Sequence, residues 1–211
     1  MLLIGMFDSP FVRPVAVTLK LFGIPFEHAN WSVGKDFERI REFNPLGRVP
    51  TLVRDDGSAL IECVAILDSL NEQAGDRALL PASGDDRRRA LQIMALALGA
   101  AEKGREQIYD RVFRPSGKQH APWVERCRMQ MHGALAALEQ QARQAGSGGW
   151  LIGGRMGQAD VVLACAFTFL VDSVGLPPAE APYPSLRKLV QRCEALPEFT
   201  STRAEWSAPA A

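Results

Sequence analysis

Three places in this sequence combine residue types that could do chemistry. The first is Ser9-Pro10-Phe11, which lies between a short apolar run and an amphipathic one. A hydroxyl at such a junction can donate a hydrogen bond to an anion and stabilise it against its protonated form. It cannot form a mixed disulfide, as a cysteine there could. Read alone, Ser9 and Pro10 are also the common pairing of a helix N-cap with a proline at the first helical position. The second is Val49-Pro50, at the entrance of the short β-type run Thr51-Leu52-Val53. Proline is tolerated there where the sheet does not need its N–H, or where the bond is cis. A cis bond at Val49–Pro50 would turn the Val49 backbone outward to pair with an extended peptide-like ligand, as another strand would. The third is Glu62-Cys63, which opens a helix whose first-turn N–H groups are unpaired and favour an anion. With only His28, His120 and His132, and with Cys63, Cys127, Cys165 and Cys193 far apart and forming no C-x-x-C pair, no metal site is predicted.

The elements that would hold these residues follow from periodicity. Residues 2–6 are an apolar run suited to a buried central strand, ended by Asp8-Ser9-Pro10 as turn and helix start. Phe11, Val15, Leu19 and Phe22 share a helical face, and Gly23 stops it. Pro14 removes an early helical hydrogen bond, so this helix either begins near Arg13-Pro14 or is kinked at its start. Residues 25–31 read as extended, and Phe37 and Ile40 mark a short surface helix before Asn44-Pro45. Asp56-Gly57 is a hairpin turn, after which Val64, Leu67 and Leu70 carry a helix. The order is β-α-β-α-β-β-α, predicted over residues 1–75. A breaker-rich linker at 76–84 ends the strand signals, and residues 85–211 read as an all-α helical bundle. In that bundle residues 85–114 form a long helix with Leu91, Met94, Ala95, Leu98, Ala101, Ile108 and Val112 inward. Gly99 and Gly104 allow a neighbouring helix to approach or leave room for a ligand. Residues 123–144 return antiparallel on Val124, Cys127, Met131, Leu135, Leu138 and Ala142. The run 161–171 is the most hydrophobic and is predicted to be buried, and the chain closes on an Ala/Pro tail.

Gly47-Arg-Val-Pro50, the hairpin, and Glu62-Cys63 at a helix start resemble the glutathione-binding half of the glutathione S-transferases, and the resemblance extends over roughly the whole chain. It implies a thioredoxin-like N-terminal domain, a cis bond before Pro50, backbone pairing of Val49 with the cysteinyl unit of glutathione, and binding of its γ-glutamyl end by Glu62 and Cys63. Cys63 stands where the family usually has serine, and a thiol is the weaker donor. Lys35 occupies the position from which related enzymes reach the glycyl carboxylate. Ser9 resembles the Ser-Pro-Phe serine of tau-type and some bacterial members, which implies a hydrogen bond to the glutathione sulfur and conjugation rather than thiol–disulfide exchange. Asp160 is similar to a family helix cap whose Ser or Thr partner is here Gly157, leaving only the carboxylate half. Phe11, Trp31, Tyr109 and Phe113 are the expected walls of an apolar co-substrate pocket between the domains.

The expected activity is therefore glutathione transfer: activation of the thiol as a thiolate that attacks a small apolar electrophile, with glutathione as co-substrate and no metal. A glutathione-dependent isomerase or dehalogenase would use the same thiolate, and a non-catalytic glutathione-binding or regulatory protein would use the same fold. The resemblance further implies a homodimer, joined through the helix after Glu62 and the long helix after Asp85. Lys+Arg 24 balance Asp+Glu 24, so there is no field to hold a polyanion, and nucleic acid and anionic membranes are not expected partners. Without a signal-type leader or a segment of membrane-spanning length, the sequence reads as cytoplasmic.

Overall fold

The structure is a computed structural model that describes residues 1–146, 148–176 and 182–207; the last residues of the Ala/Pro tail lie outside them. The first part runs β1 (Leu2–Ile4), α1 (Arg13–Leu21), β2 (Glu27–Ala29), α2 (Phe37–Arg41), β3 (Thr51–Val53), β4 (Ala59–Ile61), α3 (Cys63–Ala74), in the order the sequence predicts. The sheet order is β2-β1-β3-β4, with β1 parallel to β2 and the other pairs antiparallel. Leu3 stands between His28 and Leu52, while its neighbour Ile4 stands between Ala29 and Thr51. Side chains alternate across a strand, so Leu3 and Leu52 join the main core with α1 and α3, whereas Ile4 and Ala29 close a small second core on Ile40 of α2. On α3 the buried positions are Cys63, Ile66, Leu67, Leu70 and Asn71, and Val64, expected inward, faces out.

The helical part consists of α4 (Gly84–Phe113), α5 (Ala121–Ala145), α6 (Gln158–Phe169), α7 (Pro184–Glu194) and the short α8 (Pro197–Thr200). Every residue of α6 is buried, and α4 and α7 pack against it. On α4 the buried positions are Ala90, Ile93, Met94, Ala97, Ala100, Ala101, Gly104, Ile108 and Asp110, whereas Ala95, expected inward, is exposed. The face is wider and rotated because α4 contacts both α5 and α6. Gly104 allows a close approach: a Cβ there would lie 2.3 Å from Leu170 Cδ2, in the π-helical turn that follows α6, and would force that side chain to shift. Gly99 has open space around it.

Two buried polar networks join the parts. Gln158 accepts from Asn71 Nδ2 at 2.8 Å and donates to Thr18 Oγ1 at 2.9 Å, linking α3, α6 and α1. Asn71 Oδ1 accepts the N–H groups of Leu79 and Leu80, so the linker is fixed to the same point. Arg13 donates two bonds to the Glu194 carboxylate, at 2.7 and 2.6 Å, and a third to the Phe199 carbonyl at 3.0 Å.

At the start of α6 the Asp160 carboxylate accepts the N–H of Gly157 at 2.9 Å and of Leu151 at 3.1 Å. This is the carboxylate half of a capping box, with no side chain to complete it. A Cβ on residue 157 would stand 3.1 Å from the Leu79 carbonyl oxygen, which instead accepts the Gln158 N–H.

Candidate functional site

A cavity of about 650 Å³ lies between the sheet-bearing part and α4, within the size range of small-molecule sites. One wall comes from the turn after β1 (Ser9, Phe11), the stretch after β2 (Trp31, Lys35) and the loop before β3 (Arg48, Val49). The opposite wall is α4, through Arg105, Ile108, Tyr109 and Phe113, and the segment after α8 adds Trp206.

The turn after β1 differs from the predicted helix opening. Residues 7–12 form turns, and α1 begins at Arg13, after Val12, with Pro14 in its first turn, where a missing N–H is tolerated. Ser9 is thus not the N-cap: of the two arrangements left open by Pro14, the later start is the one found. Ser9 Oγ accepts the Phe11 N–H at 3.3 Å, and the Ser9 carbonyl accepts the Arg13 N–H at 3.1 Å. With an acceptor site of Oγ occupied, its own proton is available to a ligand. Beside it Asp8 accepts the Ser207 N–H at 3.2 Å, and burial pushes its carboxyl above the usual range.

The loop before β3 is braced by one buried side chain. Asn44 Nδ2 donates to the Arg48 carbonyl at 2.8 Å and to Thr51 Oγ1 at 3.1 Å, while its Oδ1 accepts the Leu46 N–H at 3.0 Å. Gly47, at φ 60°, lets the loop pass the Phe37 ring, where a Cβ would come within 2.2 Å. The Val49–Pro50 bond is cis, and Val49 lines the cavity, whereas Pro50 does not.

Glu62 and Cys63 also lie outside the cavity lining. Glu62 caps α3 at φ 68°, with its half-exposed carboxylate 3.6 Å from Arg48 Nη1. The predicted side-chain contact from Cys63 meets an obstacle, since the residue is only 3 % exposed and its thiol sits in the core, where burial pushes its pKa well up. What position 63 offers a ligand is its backbone: the first α3 bond runs from the Ile66 N–H to the Glu62 carbonyl, leaving the N–H groups of residues 63–65 without helical acceptors.

The aromatic walls are arranged by cations and edges. Arg39 lies 4.0 Å over the Trp31 ring, and Tyr109 meets Phe113 edge-on at 4.9 Å. Burial raises the Tyr109 pKa against the pull of Arg105 and Arg48, so its hydroxyl keeps its proton at neutral pH. Arg105, Arg48, Asp8 and Asn44 are absent from the sequence-predicted set. Arg105 had a signal, lying one helical turn before Tyr109 and directly after Gly104. Among the described residues no group of His, Cys, Asp and Glu is placed to hold a metal ion. His28 stacks on Phe7 at 3.7 Å and bonds the Gly5 carbonyl, and His132 pairs with the Tyr183 hydroxyl. No helix among the described residues is long and apolar enough to cross a membrane.

Comparison with known proteins gives two family matches: residues 3–78 match the glutathione S-transferase N-terminal domain, and residues 121–192 match the C-terminal domain. The chain is 28% identical over 207 residues to the uncharacterized GST-like protein YibF of Escherichia coli, covering 96% of this chain and 98% of that one. It is 29% identical over 195 residues to the maleylacetoacetate isomerase of Pseudomonas aeruginosa, covering 88% and 87%. Among solved structures, a glutathione S-transferase of Methylobacterium radiotolerans in complex with glutathione sulfonate superposes with a TM-score of 0.87 at 28% identity, covering 100% of this chain and 95% of that one. A glutathione transferase family member of Pseudomonas fluorescens with bound glutathione gives 0.85 at 26%, covering 97% and 99%.

Proposed function

The chain belongs to the glutathione S-transferase family, and from that premise we propose that it is a glutathione transferase, acting in the cytoplasm on a small electrophile. Residues 1–75 form the glutathione-binding domain, 76–84 the linker, and 85–211 the helical domain that supplies the co-substrate wall. Val49 pairs through its backbone with the cysteinyl unit at the corner made with Pro50. Glu62 and the free N–H groups from Cys63 onward hold the γ-glutamyl end, and Lys35 faces the glycyl carboxylate. Ser9 Oγ donates to the sulfur and favours thiolate over thiol. The sulfur attacks the electrophile against Phe11, Trp31, Tyr109 and Phe113. The chain works as a homodimer in which α3, with Val64 exposed, meets α4 of a second copy.

The observation that supports this reading most is the single cavity that gathers Ser9, Lys35 and Val49 on one side and Tyr109 and Phe113 on the other. The test is calorimetric titration with glutathione followed by conjugation assays on a panel of electrophiles. Binding with turnover is expected, binding without turnover would reduce the protein to a glutathione-binding module, and absence of binding would overturn the reading. The relative named maleylacetoacetate isomerase favours a second reading, glutathione-dependent isomerisation. The same panel separates the two, since isomerisation returns glutathione unconsumed.

A further inference from the structure

Arg105 is a charged side chain in the wall expected to be apolar. Its guanidinium lies 5.2 Å from the Tyr109 ring centroid and 5.8 Å from that of Phe11, with only 19% of the side chain exposed. Glu102 and Glu106 bond it at 2.9 and 3.1 Å, and both take the same nitrogen, Nη2. Neither carboxylate is part of the cavity lining, whereas Arg105 is. The two acids therefore hold the guanidinium from behind, and its Nη1 and Nε donors meet no acceptor among the described residues, Nε being fully buried. A guanidinium covered by an apolar ligand would lose water and gain nothing in return. Nε, being buried, is out of a ligand's reach, but a ligand carboxylate would supply an acceptor to Nη1 in a charge-assisted bond, while Phe11, Tyr109 and Phe113 take a flat conjugated body.

We propose that the co-substrate is an aromatic or conjugated acid whose carboxylate docks on Arg105, making this residue the specificity determinant of the α4 wall. This rests on the transferase reading above. Lys35 and Arg48, the other cations of the lining, stand on the sheet-side wall assigned to glutathione.

The test is a binding comparison that needs no turnover. Trp31 and Trp206 line the cavity, so quenching of tryptophan fluorescence reports 3-nitrobenzoate and its uncharged methyl ester, each titrated with and without saturating S-methylglutathione. Wild type is expected to bind the acid at least about tenfold tighter than the ester, corresponding to about 1.4 kcal/mol. Arg105→Gln should bring the two within about twofold while leaving S-methylglutathione affinity unchanged. Arg105→Lys, which keeps the charge and loses the planar fork, should fall between, and it carries the test if the Gln variant melts early. A wild-type preference for the ester, no binding of the acid, or an acid preference that survives both substitutions would each overturn the proposal, the last by assigning the anion to Lys35 or Arg48. Failure of S-methylglutathione to bind, with the Arg105-dependent preference intact, would instead overturn the transferase reading alone.

Discussion

The hydroxyl of Ser9 has its oxygen engaged by the Phe11 N–H and donates to no acceptor among the described residues, and that division of labour sets what its removal should do. On the transferase reading, Ser9→Ala removes one charge-assisted bond to a thiolate and no anchor of the peptide, so turnover should fall roughly ten- to a hundredfold. The KM for glutathione should hardly move, and steady-state kinetics with pH profiles will show whether the loss belongs to kcat; an unchanged rate would leave Ser9 a turn residue. The four cysteines offer a contrast. All are buried, and burial pushes Cys165 up to about 12, with Cys63 and Cys193 also raised. Thiol reagents react with thiolate, so the native protein should take up no label with a disulfide reagent at pH 8, and all four sites should react in denaturant. Ser9 and Val49 stood out because they sit in strings whose turn and strand-start chemistry is local, and Lys35 and Tyr109 because of the family resemblance; all four line the cavity. Arg105, Asp8 and Asn44 did not stand out, since each acquires its role from groups brought to it by folding: Arg105 from the Phe11 ring, Asp8 from the Ser207 N–H, Asn44 from the loop it spans. Cys63 was legible as a helix start but not as a core residue, because the first turn of α3 faces both ways.

At the level of elements, the start of α6 depends on the buried Asp160, whose pKa desolvation pushes up to about 6 from 3.8 despite its two N–H donors. A raised carboxylate pKa means that the folded state binds the proton more readily than the unfolded one, so this group's contribution becomes more favourable as pH falls through 6. The stability difference between wild type and Asp160→Asn should shift toward wild type by roughly 1.4 kcal/mol per pH unit between about 6 and 4. Urea unfolding of both proteins at pH 7, 6 and 5 measures it; a difference that stays constant would mean that the carboxyl is already protonated or already unperturbed. Element order, the hairpin and the buried α6 were readable from periodicity and turn chemistry. The phase of α4 was not, because a helix clasped on two sides buries more than one stripe, which is how Ile93 and Ala97 came inside and Ala95 came out. The start of α1 was ambiguous in sequence because Pro10 and Pro14 are both acceptable first-turn residues.

For the molecule as a whole, the attachment of sheet to bundle was invisible in sequence, since its polar pins join residues 87 and 140 positions apart. Gln158→Ala would take the donor from Thr18 Oγ1 and one of two acceptors from Asn71 Nδ2, which keeps the Leu67 carbonyl at 2.7 Å, in a buried seam. A loss of about 2 kcal/mol or more is expected, read as a lower urea midpoint with an unchanged slope; a neutral result would show the seam to be wet. The Arg13–Glu194 pair spans a still longer separation, 181 positions. A charge that deep is tolerable only with its counter-ion in place. On the ribosome, synthesis proceeds from the N-terminus, and the first helix leaves the exit tunnel long before α7 has been translated. Until Glu194 emerges, Arg13 has to stay hydrated, so α1 cannot settle into its final bed. The turn carrying Ser9, which ends at this helix, therefore matures last, when nearly all of the polypeptide is free, and a nascent chain truncated before α7 would lack the counter-ion that lets α1 close over the sheet.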